Sequence, residues 1–80
     1  MSGLPMVGTV RVTVQAVRDV DLHGDRYHDL AVTPRNVAPG MEPSPIRVSA
    51  SLCPRRPAAG DEIDLELLMG QVQSVRFPGD

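Results

Sequence analysis

In the stretch Gly60 to Phe77, GDEIDLELLMGQVQSVRF, the aliphatics Ile63, Leu65 and Leu67 alternate with the acids Glu62, Asp64 and Glu66. A period of two sends the aliphatics to one face and the carboxylates to the other, which is the pattern of a half-buried strand. Gly70 breaks the run before Val72, Val75 and Phe77 continue it, so the spacing predicts a hairpin with a tight turn near Met69 to Gln71. A helix over 61–75 is the rival, because Leu65, Leu68, Val72 and Val75 also fit helical spacing and Asp61 could cap it. Gly70 inside the run, costing ~1 kcal/mol in a helix interior, and the β-branched Val72 and Val75 favour the strand.

The same period recurs along the chain. From Gly8 to Arg18, Val10, Val12, Val14 and Ala16 fall on one face and Thr9, Arg11, Thr13 and Gln15 on the other. Val17 then follows out of phase, which predicts a bulge or a strong bend in a long first strand. Arg26 to Thr33 reads as a second strand, with His28, Leu30 and Val32 opposite Tyr27, Asp29, Ala31 and Thr33, and with Pro34 ending it. Ile46 to Cys53 reads as a third, with Ile46, Val48, Ala50 and Leu52 inward and Arg47, Ser49, Ser51 and Cys53 outward. The expected core therefore includes Val12, Val14, Val48, Leu65 and Leu67. Asp19 to Asp25 is expected to be a loop from its Gly24 and clustered aspartates, as is Asn36 to Pro45 from its prolines. Pro54 to Ala59, PRRPAA, is a stiff connection, with Met1 to Pro5 a lead-in and Pro78 to Asp80 a frayed tail.

Eighty residues are enough for one domain with a thin core, and with Tyr27 and Phe77 the only aromatics that core must be aliphatic. Association into a homodimer or larger, or docking on a partner, is a natural supplement at this size. The net charge is −2, from eight arginines, no lysine and ten acids. It is unevenly spread, basic over 1–18 and 30–60 and acidic over 19–29 and 61–80, so distinct surface patches are expected without the high pI of a dedicated nucleic-acid binder. The lone Cys53 forms no internal disulfide, and no leader or long apolar run is visible, which points to a cytoplasmic chain with no membrane contact.

Catalytic and metal chemistry find little to work with. Asp19, Asp21 and His23 before Gly24 look superficially like a calcium loop, but the twelfth position is Leu30 and no flanking helices are predicted. His23, Asp25, His28 and Asp29 suit a transition metal in kind, yet no second cluster completes the set, and a solvated acidic hairpin loop is the favoured reading. Cys53 lacks an activating neighbour in the pattern. With no nucleophile and base, acid pair or metal set at usable spacing, a non-enzymatic protein without cofactor is expected.

The order of features resembles an OB-fold: a long bent first strand (GTVRVTVQAV), a Gly-bearing loop, a strand with an aromatic (RYHDLAV), a third strand (PIRVSAS) and a Gly-Asp-led hairpin (AAGDEIDLELLMGQVQSVRF). It covers roughly residues 7 to 77 and rests on strands and turns, with PRRPAA where the fold usually has a helix and almost no loop between the last two strands. What it implies is an all-β, five-stranded small barrel or rolled antiparallel sheet. Binding of single-stranded DNA or RNA across the second and third strands is the function implied, as in a replication accessory protein. The candidate contacts are Arg11, Tyr27, Arg47, Arg55, Arg56 and Arg76, since arginine both neutralises phosphate and stacks on bases. The alternative is a protein-interaction module that docks a partner or a second copy through a strand edge and the Pro-rich loop.

Overall fold

The computed structural model describes residues 7–34, 40 and 42–79. Its strands are β1 (Gly8–Leu22), β2 (Asp25–Pro34), β3 (Ser44–Ser49), β4 (Glu62–Leu68) and β5 (Gln71–Arg76). They form one antiparallel sheet in the order β3-β2-β1-β4-β5. The chain is all-β, and the helix considered over 61–75 is absent: β4 and β5 make the expected hairpin. Ile63, Leu65 and Leu67 are buried while Glu62 and Glu66 are exposed, as the alternation requires. Full burial of each such aliphatic contributes about 1.5–3 kcal/mol, so one face of β4 suffices to hold it against β1.

β1 is the shared element, pairing with β2 from Val12 to Leu22 and with β4 from Gly8 to Thr13. Bulges adjust its phase and that of β5. In β1, Val14 pairs with Val32 and Ala16 with Ala31, leaving Gln15 as the extra residue. Beyond it Val17 packs toward the core and Ala16 is exposed, so the expected bulge is present but the inward assignment of Ala16 is corrected. The displaced Gln15 donates from Nε2 to the hydroxyl of buried Thr33, 3.1 Å away. In β5, Leu67 pairs with Val72 and Glu66 with Ser74, which makes Gln73 the extra residue. That bulge lets Val72 and Val75, three apart, both face the core. A helix-like spacing thus arises from a strand.

Three boundaries differ from expectation. The aspartate-rich Asp19 to Asp25 is not a loop: Asp19 to Leu22 complete β1, Asp25 starts β2, and only His23 and Gly24 turn. Both have positive φ, 52° and 85°, the requirement of a two-residue hairpin whose twist matches its strands. Met69 and Gly70 repeat the device at 52° and 79°. β3 is also shorter than predicted, because the Ser49 hydroxyl accepts from the Ser51 N–H and the chain turns into a 3-10 turn at Ala50–Leu52. At its other end β3 takes in Ser44 and Pro45, where an edge strand needs no donor from proline. The rest of the predicted 36–45 loop lies mostly outside the described residues, as do the lead-in 1–5 and Asp80.

Val12, Val14, Val48, Leu65 and Leu67 are each at most 3 % exposed, joined by Leu30, Val32, Ile63, Val75 and Phe77. The sheet is open, with β3 and β5 as its edges, so the rolled sheet describes it and the closed barrel does not. Instead of pairing with β5, the chain after β3 packs here: the 3-10 turn touches both β2 and β5, Leu52 and Cys53 lie on the core, and Pro57 is fully buried. Gly60 donates its N–H to the Val14 carbonyl and Val14 donates to the Asp61 carbonyl, both at 2.8 Å, which seats the start of β4 beside the β1 bulge.

Candidate functional site

Because Leu30 and Val32 face the core, Tyr27, Asp29 and Ala31 line the outer face of β2. The ladders extend this face into rows. Arg18, Asp29 and Arg47 form the middle row, with Val20, Tyr27 and Ser49 on one side and Ala16, Ala31 and Pro45 on the other. The middle row is an ion-pair triplet. Arg47 donates in a fork to Asp29, Nε to Oδ1 at 2.7 Å and Nη2 to Oδ2 at 3.0 Å, while Arg18 donates from Nη2 to Oδ2 at 3.4 Å. One carboxylate therefore serves two guanidinium groups, and the triplet keeps one positive charge. Arg18 is 78 % exposed. Tyr27, half-buried, is the diagonal neighbour of Arg47 across the β2–β3 ladder, and it borders an open depression of about 460 Å³ shared with Asp19, His28, Ala50 and Arg56.

The six candidate residues do not gather in one place. Only Tyr27 and Arg47 fall in these rows. Arg11 lies on the β1–β4 half, forked onto Asp64 at 2.7 and 3.1 Å, with Arg76 across from the same aspartate on β5. Arg55 and Arg56 diverge from the loop instead of forming one basic tip. Arg55 bonds Asp61 at 2.9 Å and lies 4.1 Å from the centre of the Phe77 ring, whereas Arg56 reaches Asp19 on β1 at 3.1 Å. The Arg55–Asp61 pair closes the 54–61 segment on itself, while the contacts of Arg55 with Phe77 and Arg56 with Asp19 fasten it to the sheet. Arg18, absent from the sequence-derived set, belongs to the face through its contact with Asp29. The signal for it was the β1 bulge, which shifts Arg18 onto the side of Arg11 once Gln15 is known to be the extra residue.

Four carboxyls are held below the ordinary aspartate range, each first of all by an arginine: Asp19 by Arg56, Asp29 by Arg47, Asp61 by Arg55 and Asp64 by Arg11. A carboxyl with a lowered folded-state pKa contributes stability that is present above its unfolded value near ~3.9 and lost as pH falls through the folded value. The melting temperature is accordingly expected to stay level from about pH 7 to about pH 5 and to fall below about pH 4. Calorimetric melts across that range check this, and a melting temperature that holds or rises below pH 4 contradicts it.

Cys53 was expected on the outward phase but is half-buried against the core. Its Sγ lies 3.7 Å from the Ser49 carbonyl, and burial pushes the thiol up, away from the thiolate a nucleophile needs. Among the described residues, no three His, Cys, Asp or Glu side chains group as metal ligands. Asp19 and His28, once considered with the acidic loop, instead face each other across β1 and β2 with Nδ1 and Oδ1 2.9 Å apart. No helix among the described residues is long and apolar enough to cross a membrane. Compared with protein-family models, curated proteins and solved structures, the chain matches none.

Proposed function

We propose that this protein is a non-enzymatic, OB-like module that binds single-stranded nucleic acid weakly on the outer face of β1, β2 and β3. The observation that carries the reading is the convergence of Arg18 and Arg47 on that face beside Tyr27. The exposed cations suit phosphates, the phenol ring suits a base, and the flat Ala16–Ala31–Pro45 row leaves room for the strand to lie down. The strand order supports the resemblance, since it is that of an OB-fold opened between its third and fifth strands, and members of that fold bind on the second and third. Docking of a protein through a sheet edge fits less well. Pro45 on β3 and the Gln73 bulge on β5 are both devices that resist strand addition.

The overall negative charge and the internal ion pairs keep the electrostatic contribution small. One to two phosphates engaged by Arg18 and Arg47 imply that the logarithm of affinity falls with the logarithm of salt at a slope between about −0.7 and about −1.4. A fluorescence titration of labelled oligothymidylate and oligouridylate at several salt concentrations measures it. The Arg18→Ala, Arg47→Ala double variant is expected to lower affinity and flatten the slope, whereas Arg26→Ala, on the opposite phase of β2, is expected to change little. Absence of binding at low salt overturns the reading. A salt-insensitive dimer by light scattering, with no binding, transfers the function to self-association.

A further inference from the structure

Asp29 stands apart from the other paired aspartates. Asp61 holds the turn into β4, and Asp19 and Asp64 join segments distant in the chain. Asp64 also stands between arginines of both neighbouring strands, Arg11 and Arg76, but only Arg11 bonds it. Asp29 is bonded by both of its arginines at once, on an exposed face, and among the described residues neither the Arg18 nor the Arg47 guanidinium has another hydrogen bond or ion pair. A planar oxyanion that takes the fork of one guanidinium and the tip of a second occupies the position that suits a phosphate.

We infer that Asp29 is a built-in competitor for phosphate, which holds Arg18 and Arg47 in place and lets a single strand bind only by displacing its own carboxylate. The inference rests on the reading of this face as a nucleic-acid platform. It explains why two arginines converge on a surface without leaving a strongly basic patch. An empty pair of adjacent guanidinium groups repels itself and attracts polyanions indiscriminately, whereas the shared carboxylate keeps the pair assembled and the resting affinity low. Its own acidity is consistent with this, because both arginines lower the Asp29 pKa and keep it ionised at neutral pH.

The test compares wild type with Asp29→Asn, which removes the charge and keeps the shape, and with Asp29→Glu, which keeps the charge. Titration of labelled oligothymidylate is expected to show about tenfold tighter binding for Asp29→Asn, about 1.4 kcal/mol, and a slope steepened toward about −1.4. Asp29→Glu is expected to show no such gain. Asp64→Asn, at the pair on the other half of the sheet, is the control and is expected to leave affinity unchanged. Melts establish that each variant is folded at the titration temperature, and Asp29→Ser, which also removes the anion, replaces Asp29→Asn if the latter is not. If wild type binds and loses affinity on Arg47→Ala, but the charge-removing variant binds no tighter, the Asp29 inference is overturned and the platform stands. If neither wild type nor the charge-removing variant binds at low salt, both are overturned. Equal tightening by Asp64→Asn also overturns the inference, since it makes the effect one of net charge.

Discussion

Replacing Val14 by aspartate is expected to abolish cooperative folding. Val14 is fully buried in β1, next to the Gln15 bulge, and its backbone groups receive Gly60 and Asp61 at the start of β4. Losing the valine forfeits about 1.5–3 kcal/mol of apolar burial, and a carboxylate there either stays charged without a partner, at a cost of several kcal/mol, or is forced neutral against its usual pKa. A domain of this size has a total stability of about 4–12 kcal/mol by the per-residue rule, so the two costs together consume most or all of it. Far-ultraviolet circular dichroism should show loss of the strand signal and no cooperative melt. Val7→Asp, at a position 63 % exposed, is expected to melt like wild type. A cooperative Val14→Asp melt at the wild-type temperature contradicts the central place of Val14 in the core.

The elements that were legible in the sequence are those whose folding is decided by local alternation. β4 reads directly because Ile63, Leu65 and Leu67 have nowhere to go but one face. β1 reads as far as Val14 for the same reason. Beyond it, the cost of clustered aspartates in a strand pointed to a loop, but tertiary pairing overrides that weak preference: Asp19 meets His28 and Arg56, and Asp21 stands across from Arg26. The two bulges were harder to locate, since an extra residue turns a spacing of two into a spacing of three and mimics a helix at Val72 and Val75. The site was less legible still. Which arginine meets which aspartate depends on strand register, so Arg11 and Arg47 appear in the sequence as free cations, and Arg18 does not stand out at all. Arg55 and Arg56 are neighbours in the chain but part to opposite partners, which no spacing rule foretells.

Tyr27 carries the prediction with the largest expected effect on binding. It is the only Phe, Tyr or Trp on the proposed face, since Phe77 is buried beneath Arg55, so its phenol ring is the stacking platform that face offers. Stacking on one ring contributes about 1–3 kcal/mol, so Tyr27→Ala is expected to weaken oligothymidylate binding by about 5- to 150-fold. The loss should be independent of salt, because no phosphate contact is removed, and that separates it from the Arg18→Ala, Arg47→Ala effect. Tyr27→Phe keeps the ring and loses only the hydroxyl. It is expected to retain most of the affinity with an unchanged salt slope. If Tyr27→Phe instead falls as far as Tyr27→Ala, the residue acts through its hydroxyl and not as a stacking platform. If Tyr27→Ala binds as tightly as wild type while both melt alike, the strand does not lie on β2.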